Sequence, residues 1–362
     1  MRVLYIITKS DTGGAQTHLS QLSAYVEHKG GSAAIMAHPG GWLEQKCASM
    51  GVQFYPNEYL SNSLNPVNDI RAGRMVKAAV NDFKPDIVSS HSSKAGVVAR
   101  LAIRNRVPTL FTAHGWAFTD GTAILRKLHA IIFEKIAAPF CERIICVSEK
   151  DYQLALRYHI ASAQKLLTVH NGVEIDKPQA SVAPLARRIA FVARLAPPKD
   201  PIAFAEALSA VENVEGHFIG GGPQEEELKE KIAQLGIGNR VTLHGDVPRE
   251  EVFSLLATMD ASVLISDYEG LPRSILEAMS AGLPIITSDV GGVRELVDER
   301  NGFVVARHDT EGVAAALARL ATEEGLAARL GRASRERSEK EFSLQTMLTA
   351  TYSVYERMLA TK

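Results

Sequence analysis

Glu269 and Glu277 stand eight residues apart in the stretch SDYEGLPRSILEAMSAGLPIIT, residues 266–287. Carboxylates accept hydrogen bonds from hydroxyl groups and repel phosphates, so such a pair suits a ribose or a hexose. Spacing alone says little, because two glutamates in a chain this rich in charge are ordinarily solvated side chains. Their surroundings say more. Gly270 lets a backbone come close to a ligand, and the chain then enters a helix whose first amides are unpaired donors. Pro272 is expected at the first helical position, where its fixed φ fits and its missing N–H costs nothing. The helix should reach about Ala281 and be stopped by Gly282 and Pro284. Glu269 then lies on the loop and Glu277 in the second helical turn.

Other residues could act on an anion or a sugar. Arg194 and Lys199 sit in the proline-stiffened loop Ala193-Arg194-Leu195-Ala196-Pro197-Pro198-Lys199-Asp200. They either converge on one anion, with the fork of Arg and the mobile charge of Lys, or form a solvated surface. His114 follows a strand-like run, either as a structural hydrogen-bonder or as a ligand group, since open parallel sheets bind beyond the carboxyl ends of their strands. Trp116 and Phe118 next to it are either an apolar wall for an acceptor or packing. Gly220-Gly221-Gly222 opens a charged helix, as a phosphate or base cradle or as a plain connector. Gly13-Gly14 could form a nucleotide loop, although G-x-G-x-x-G is absent. Asp-x-Asp, a pairing that holds a divalent ion on a diphosphate, occurs nowhere in the chain, so no metal is expected.

The elements that must position these residues alternate. Strand-like runs are expected at residues 3–8, 33–37, 52–55, 87–90, 109–113, 143–147 and 166–169, then at 189–192, 215–219, 241–244, 261–265, 284–287 and 302–305. Helical patterns lie between most of them, which is the rhythm of a parallel α/β fold. The rhythm breaks around residues 174–188, where Pro178, Pro184 and small residues read as a linker. The expected division is residues 1–175, a linker over 176–187, a second domain over 188–343 and a closing helix over 344–362. Leu344, Met347, Leu348, Tyr352 and Tyr355 give that helix an apolar stripe.

The pattern E-G-L-P-x-x-x-x-E-A-M-x-A-G-x-P, with Arg194 and Lys199 upstream, resembles the E-x7-E signature of retaining glycosyltransferases of family 4. The resemblance implies the GT-B architecture: two Rossmann-like parallel-sheet domains facing across a cleft, with a last helix crossing back to the first. It implies that Glu269 approaches the donor sugar and Glu277 holds the ribose. Arg194 and Lys199 would neutralise the diphosphate, and His114 would lie close to the sugar. Gly13 and Gly14 are placed near the donor phosphates and the acceptor. Gly220, Gly222, Val247, Gly270, Leu271 and Pro272 complete the implied donor set, with the nucleotide base against the turn that holds Val247. Two departures stand out: Ala193 and Asp200 occupy positions where many relatives carry glycine, which bears on the loop and not on its charges.

The implied reaction moves a hexose or N-acetylhexosamine from a nucleotide-diphosphate sugar, UDP-sugar foremost, to an acceptor hydroxyl, with retention and without metal. The implied acceptor is a sugar or a lipid-linked glycan of surface polysaccharide synthesis. A nucleotide-sugar epimerase or phosphorylase on the same scaffold, or a silent sugar-nucleotide binder, are the rival readings.

Composition bounds the rest. The chain of 362 residues is 46% hydrophobic and 22% charged, as in a soluble globular protein of two domains. Its formal net charge of −1 argues against nucleic-acid binding. Residues 1–183 carry 20 Lys and Arg against 14 Asp and Glu, and the remainder 20 against 27. The basic half favours an anionic partner, a diphosphate or a phospholipid head group. Met1–Thr8 is too short an apolar run for a signal peptide, and no apolar segment is long enough to span a bilayer. Cys47, Cys141 and Cys146 show no metal-ligand spacing, so reduced thiols in a cytoplasm are expected. Residues 124–140 form a helix with Ile124, Leu128, Ile131, Ile132 and Ile136 on one face. That face is either core or, with Arg126, Lys127 and Lys135 beside it, a docking site on an anionic membrane.

Overall fold

The computed structural model describes every residue except Leu64, Asp120, Thr361 and Lys362. It divides into two compact units, residues 1–171 with 347–362, and residues 172–346.

The first unit holds one parallel sheet of seven strands: β1 (Arg2–Ile6), β2 (Ser32–Ala37), β3 (Gln53–Pro56), β4 (Ile87–His91), β5 (Thr109–Ala113), β6 (Arg143–Cys146) and β7 (Leu166–Thr168). Their order is β3-β2-β1-β4-β5-β6-β7. The second unit holds six: β8 (Arg188–Val192), β9 (Glu215–Ile219), β10 (Val241–Gly245), β11 (Ala261–Leu264), β12 (Ile285–Ser288) and β13 (Gly302–Val305), ordered β10-β9-β8-β11-β12-β13. Each is the doubly wound Rossmann order, reversing between β1 and β4 and again between β8 and β11. Central strands are buried from end to end, as in Ile87–His91 and Thr109–Ala113. Helices cover both faces, so the strands are buried on both sides, small polar residues such as Ser89 and Ser90 included, and do not alternate. Every expected strand is present within about two residues at each end.

The helix Leu344–Ala360 buries Met347, Leu348, Val354, Tyr355 and Met358 and belongs to the first unit from Met347 onward. Residues 176–187 belong to the second unit rather than hanging between two bodies. Ala180 N–H donates to Ala281 O, Ala186 N–H to Leu320 O, and Ala183 and Arg187 N–H to the buried Asp260 carboxylate. Prolines and small residues there mark a strap laid along a surface. The three cysteines are free and buried. Among the described residues no helix is long and apolar enough to cross a membrane.

Of the two readings left open for the helix over residues 124–140, the structure favours an outward face. The helix Ile124–Ala137 buries only Glu134 and Ala137 fully. Ile124, Leu125, Leu128, Ile132, Phe133 and Ile136 are 43–70% exposed. Most of the stripe therefore faces outward, and the helix is held inward by Ala130, Ile131 and Ala137 together with a buried charge. Arg100 Nη2 donates to Glu134 Oε2 at 2.7 Å, with both side chains at 2% exposure or less. Arg100 also gives Nε to Gly96 O and lies 4.3 Å from the Phe111 ring centroid. Burial pushes the Glu134 carboxyl up, and the Arg100 guanidinium opposes it. Truncating one partner of a buried pair strands the other charge, at about 3–5 kcal/mol. Glu134→Ala is accordingly expected to lose about that much stability in urea unfolding followed by circular dichroism, and a wild-type midpoint would show that the pair does not hold the helix.

Candidate active site

Each unit gathers its chemistry-bearing residues where its strand order reverses. In the second unit the loop after β8 and the loop after β11 are zipped together. Asp200 N–H donates to Ile265 O and Asp267 N–H to Pro198 O, while Lys199 and Ser266 form an antiparallel bridge. This pairing carries Lys199 to Glu269, and the ammonium donates to Glu269 Oε1. Ser266 Oγ donates to the same oxygen at 2.7 Å. The two groups assigned to diphosphate and sugar thus neutralise each other, at 20% and 10% side-chain exposure. Arg194, on the same loop, is exposed.

The Glu269-Gly270 corner is shaped from behind. Gly291 has φ +54, and a Cβ there would lie 2.0 Å from the Glu269 carbonyl oxygen. Gly292 N–H donates to Gly270 O at 2.8 Å. Leu271 and Pro272 are buried. Pro272 caps the helix Arg273–Ser280 instead of opening it, because its ψ of 122° is extended. Its carbonyl meets Leu276 N–H at 3.5 Å. The far end follows expectation: Ala281 is the C-cap and Gly282 takes φ +80.

Glu277 is 9% exposed, and Arg249 Nη1 reaches its Oε1 at 2.8 Å. Arg249 begins the helix Arg249–Leu256, just past the turn that carries half-buried Val247. Arg273 lies nearby, its guanidinium pushed down to about 10, by burial first and by Arg249 second, against the pull of Glu277 and Glu174. Sequence reasoning missed Arg249, because an arginine after a turn carries no spacing that ties it to a glutamate 28 positions on.

Gly220 and Gly222 have φ +130 and +157, and a Cβ on either would strike the backbone carbonyl of Ala193 or Leu195. Leu195 N–H donates to Gly221 O, and Gly221 N–H to Asp246 Oδ1. Within this unit the glycine run presses the Arg194 loop against the turn after β10.

In the first unit Gly13 and exposed Gly14 begin the helix Gly14–His28 after β1. Gly13 is extended there, with φ 179. His114 follows β5, and two residues absent from the sequence reading join it. His91 ends β4 and His18 lies on the helix after β1. His91 Nδ1 and His114 Nε2 are 3.0 Å apart, and the His18 ring meets His114 edge-on with centroids 4.9 Å apart. One ligating nitrogen from each of the three falls within 4.8 Å of the others. The signal was available, since His91 and His18 both sit beside the order reversal. Trp116 and Phe118 are 2% and 0% exposed and stacked on each other, and Trp116 Nε1 donates to Asp151 O. They are packing and no acceptor wall.

Two family models match, "Glycosyltransferase Family 4" over residues 12–177 and "Glycosyl transferases group 1" over 174–337. The chain belongs to glycosyltransferase family 4. It is 32% identical over 303 residues to the Escherichia coli O-antigen biosynthesis glycosyltransferase WbnH, covering 83% of this chain and 85% of that one. It is 30% identical over 285 residues to the Escherichia coli UDP-Gal:alpha-D-GlcNAc-diphosphoundecaprenol alpha-1,3-galactosyltransferase, covering 72% and 73%. Its fold superposes on sucrose-phosphate synthase from Thermosynechococcus elongatus with a TM-score of 0.86 over the whole of both chains, at 17% identity. The protein is a GT-B glycosyltransferase related to enzymes of O-antigen synthesis.

The contact behind Glu269 is open to test. An alanine at 291 would need a left-handed backbone and would press on a carbonyl, costs of about 1–3 kcal/mol. Gly291→Ala is expected to lower the denaturation midpoint by that amount, while Gly238→Ala, where nothing lies within 4 Å, should not. Equal midpoints for the two variants would remove Gly291 from the support of the loop.

Proposed function

We propose that this family 4 enzyme transfers a hexose or N-acetylhexosamine from UDP-sugar to a hydroxyl of a lipid-linked glycan, with retention and without a metal ion. The observation that carries the reading is the Lys199–Glu269–Ser266 constellation at the β8/β11 reversal, with Glu277 held by Arg249 on the helix that follows. A relative 30% identical is named for UDP-Gal as donor and a diphosphoundecaprenol-linked acceptor, which favours this donor and acceptor class here.

Departure of the diphosphate builds negative charge on its leaving oxygen. Lys199 and Arg194 stabilise that charge when Lys199 leaves Glu269 for the phosphate, and Glu269 is then free to accept from a sugar hydroxyl. Glu277 accepts from the ribose hydroxyls through the oxygen that Arg249 leaves open. His114 orients the sugar. The acceptor attacks on the face the diphosphate leaves, and the leaving phosphate takes its proton, so retention requires no protein nucleophile. Arg194→Ala and Lys199→Ala are each expected to lower kcat by about 10²–10³, the worth of such charge stabilisation, with the fold intact and with wild-type turnover unaffected by EDTA. Full turnover in either folded variant, or activity lost with EDTA and restored by Mn²⁺, would overturn the assignment.

We further assign the outward apolar face of the helix Ile124–Ala137 to an anionic membrane surface, which would bring a lipid-linked acceptor to the protein. Six large apolar side chains stand beside exposed Arg126 and Lys135 and half-exposed Lys127, and each such charge near a leaflet is worth about 1 kcal/mol. Co-sedimentation with vesicles should require anionic lipid, weaken at raised salt and fall in the Arg126→Glu/Lys127→Glu double variant. Protein that stays in the supernatant throughout would leave a soluble acceptor as the better account.

A further inference from the structure

The first unit contains a buried polar chain whose Tyr355, Ser89 and His91 have no part in the activity described above. Tyr355, on the last helix, donates its OH to Ser89 Oγ at 3.2 Å. Ser89 Oγ lies 3.1 Å from His91 Nε2, and His91 Nδ1 lies 3.0 Å from His114 Nε2. Tyr355, Ser89 and His91 are all 0% exposed. Ser89 and His91 on β4, His114 just after β5 and Tyr355 on a helix some 240 positions downstream form one path that finishes at His114.

One assignment of protons satisfies every bond on this path. A phenol at the head gives its hydrogen to Ser89, whose own hydrogen is then available for His91 Nε2. A neutral imidazole has one donor and one acceptor nitrogen. With Nε2 accepting, the His91 proton sits on Nδ1 and is given to His114 Nε2. His114 then carries its own proton on Nδ1. Which ring nitrogen of a histidine is protonated is set by the bond its other nitrogen makes. Burial, with His114 second, disfavours the His91 imidazolium form, so His91 offers one donor and one acceptor along the path.

We propose that His91 is a positioning residue for the transfer reaction: with Ser89 and Tyr355 it locks His114 in the Nδ1–H tautomer and fixes its ring at the carboxyl end of β5. The proposal rests on the reading of His114 as a group that orients the sugar, and it gives the last helix a chemical role besides packing. Three imidazoles are also a donor set for a divalent transition metal. The facing nitrogens of His91 and His114 are at hydrogen-bond separation, which favours the shared proton.

The test is nitrogen-15 spectroscopy of the histidine rings in the full chain, with kinetics alongside. The expected wild-type result is a single Nδ1–H tautomer at His114. His91→Phe removes the donor and should give a mixture of tautomers at His114, with kcat lower by about ten- to a hundredfold and nucleotide affinity unchanged. His91→Asn, whose amide nitrogen stands where Nδ1 stood, should restore the single tautomer and most of kcat. Ser89→Ala, a small change that serves if His91→Phe does not fold, should also mix the tautomers. An unchanged His114 spectrum in these variants overturns the proposal. So does stoichiometric Zn²⁺ binding that is lost in His18→Ala, which would make the cluster a metal site. The reading beneath it fails separately: full turnover in His114→Ala would remove the sugar-orienting role whatever the spectra show.

Discussion

Where a parallel sheet reverses its winding, the loops beyond two adjacent strands have no crossover helix between them and open a crevice. That constraint organises both halves of this chain. In the second unit it sets the loop after β8 beside the loop after β11, and the backbone bonds between Asp200 and Ile265 and between Asp267 and Pro198 turn proximity into register. Lys199 and Glu269, 70 residues apart, meet because of that register. In the first unit the same reversal, between β1 and β4, puts His18 and His91 side by side, and β5 adds His114.

Glycine has one specific job in these loops: it lets backbones approach where a Cβ would forbid it. Gly220, Gly222 and Gly291 each face a carbonyl of a loop that carries a charged residue. In each case the glycine stands behind the functional loop. A sequence reader sees such glycines as ligand cradles, because the composition of a cradle and of a buttress is the same. What separates them is which backbone the missing Cβ would strike, and that depends on neighbours far along the chain.

The same distinction explains what could be read from sequence and what could not. Strand positions were legible because buried parallel strands are short unbroken apolar runs between helical patterns. Glu269, Arg194 and Lys199 were singled out through the family resemblance, since charged residues in loops are ordinarily solvated; the fold sets Lys199 against Glu269 and leaves Arg194 exposed. Arg249 was not legible, since it matters through a glutamate 28 positions away, and His91 and His18, with a partner 23 and 96 positions away, were signalled only by their place beside the order reversal. Trp116 and Phe118 show the opposite failure: their place beside His114 in sequence suggested the site, yet Phe118 packs on Tyr158 and Trp116 on Phe111.

The helix Ile124–Ala137 shows a limit of periodicity itself. A stripe of isoleucine and leucine at helical spacing states that one face avoids water and leaves open what covers it. Here the inward contact joins Ala130 and Ile131 to a salt bridge, Arg100 with Glu134, in a place where apolar side chains would be easier to bury. An ion pair in the core and six large apolar groups outside invert the usual arrangement of a surface helix. The buried charge then fixes the helix in one orientation while leaving its apolar side chains unspent.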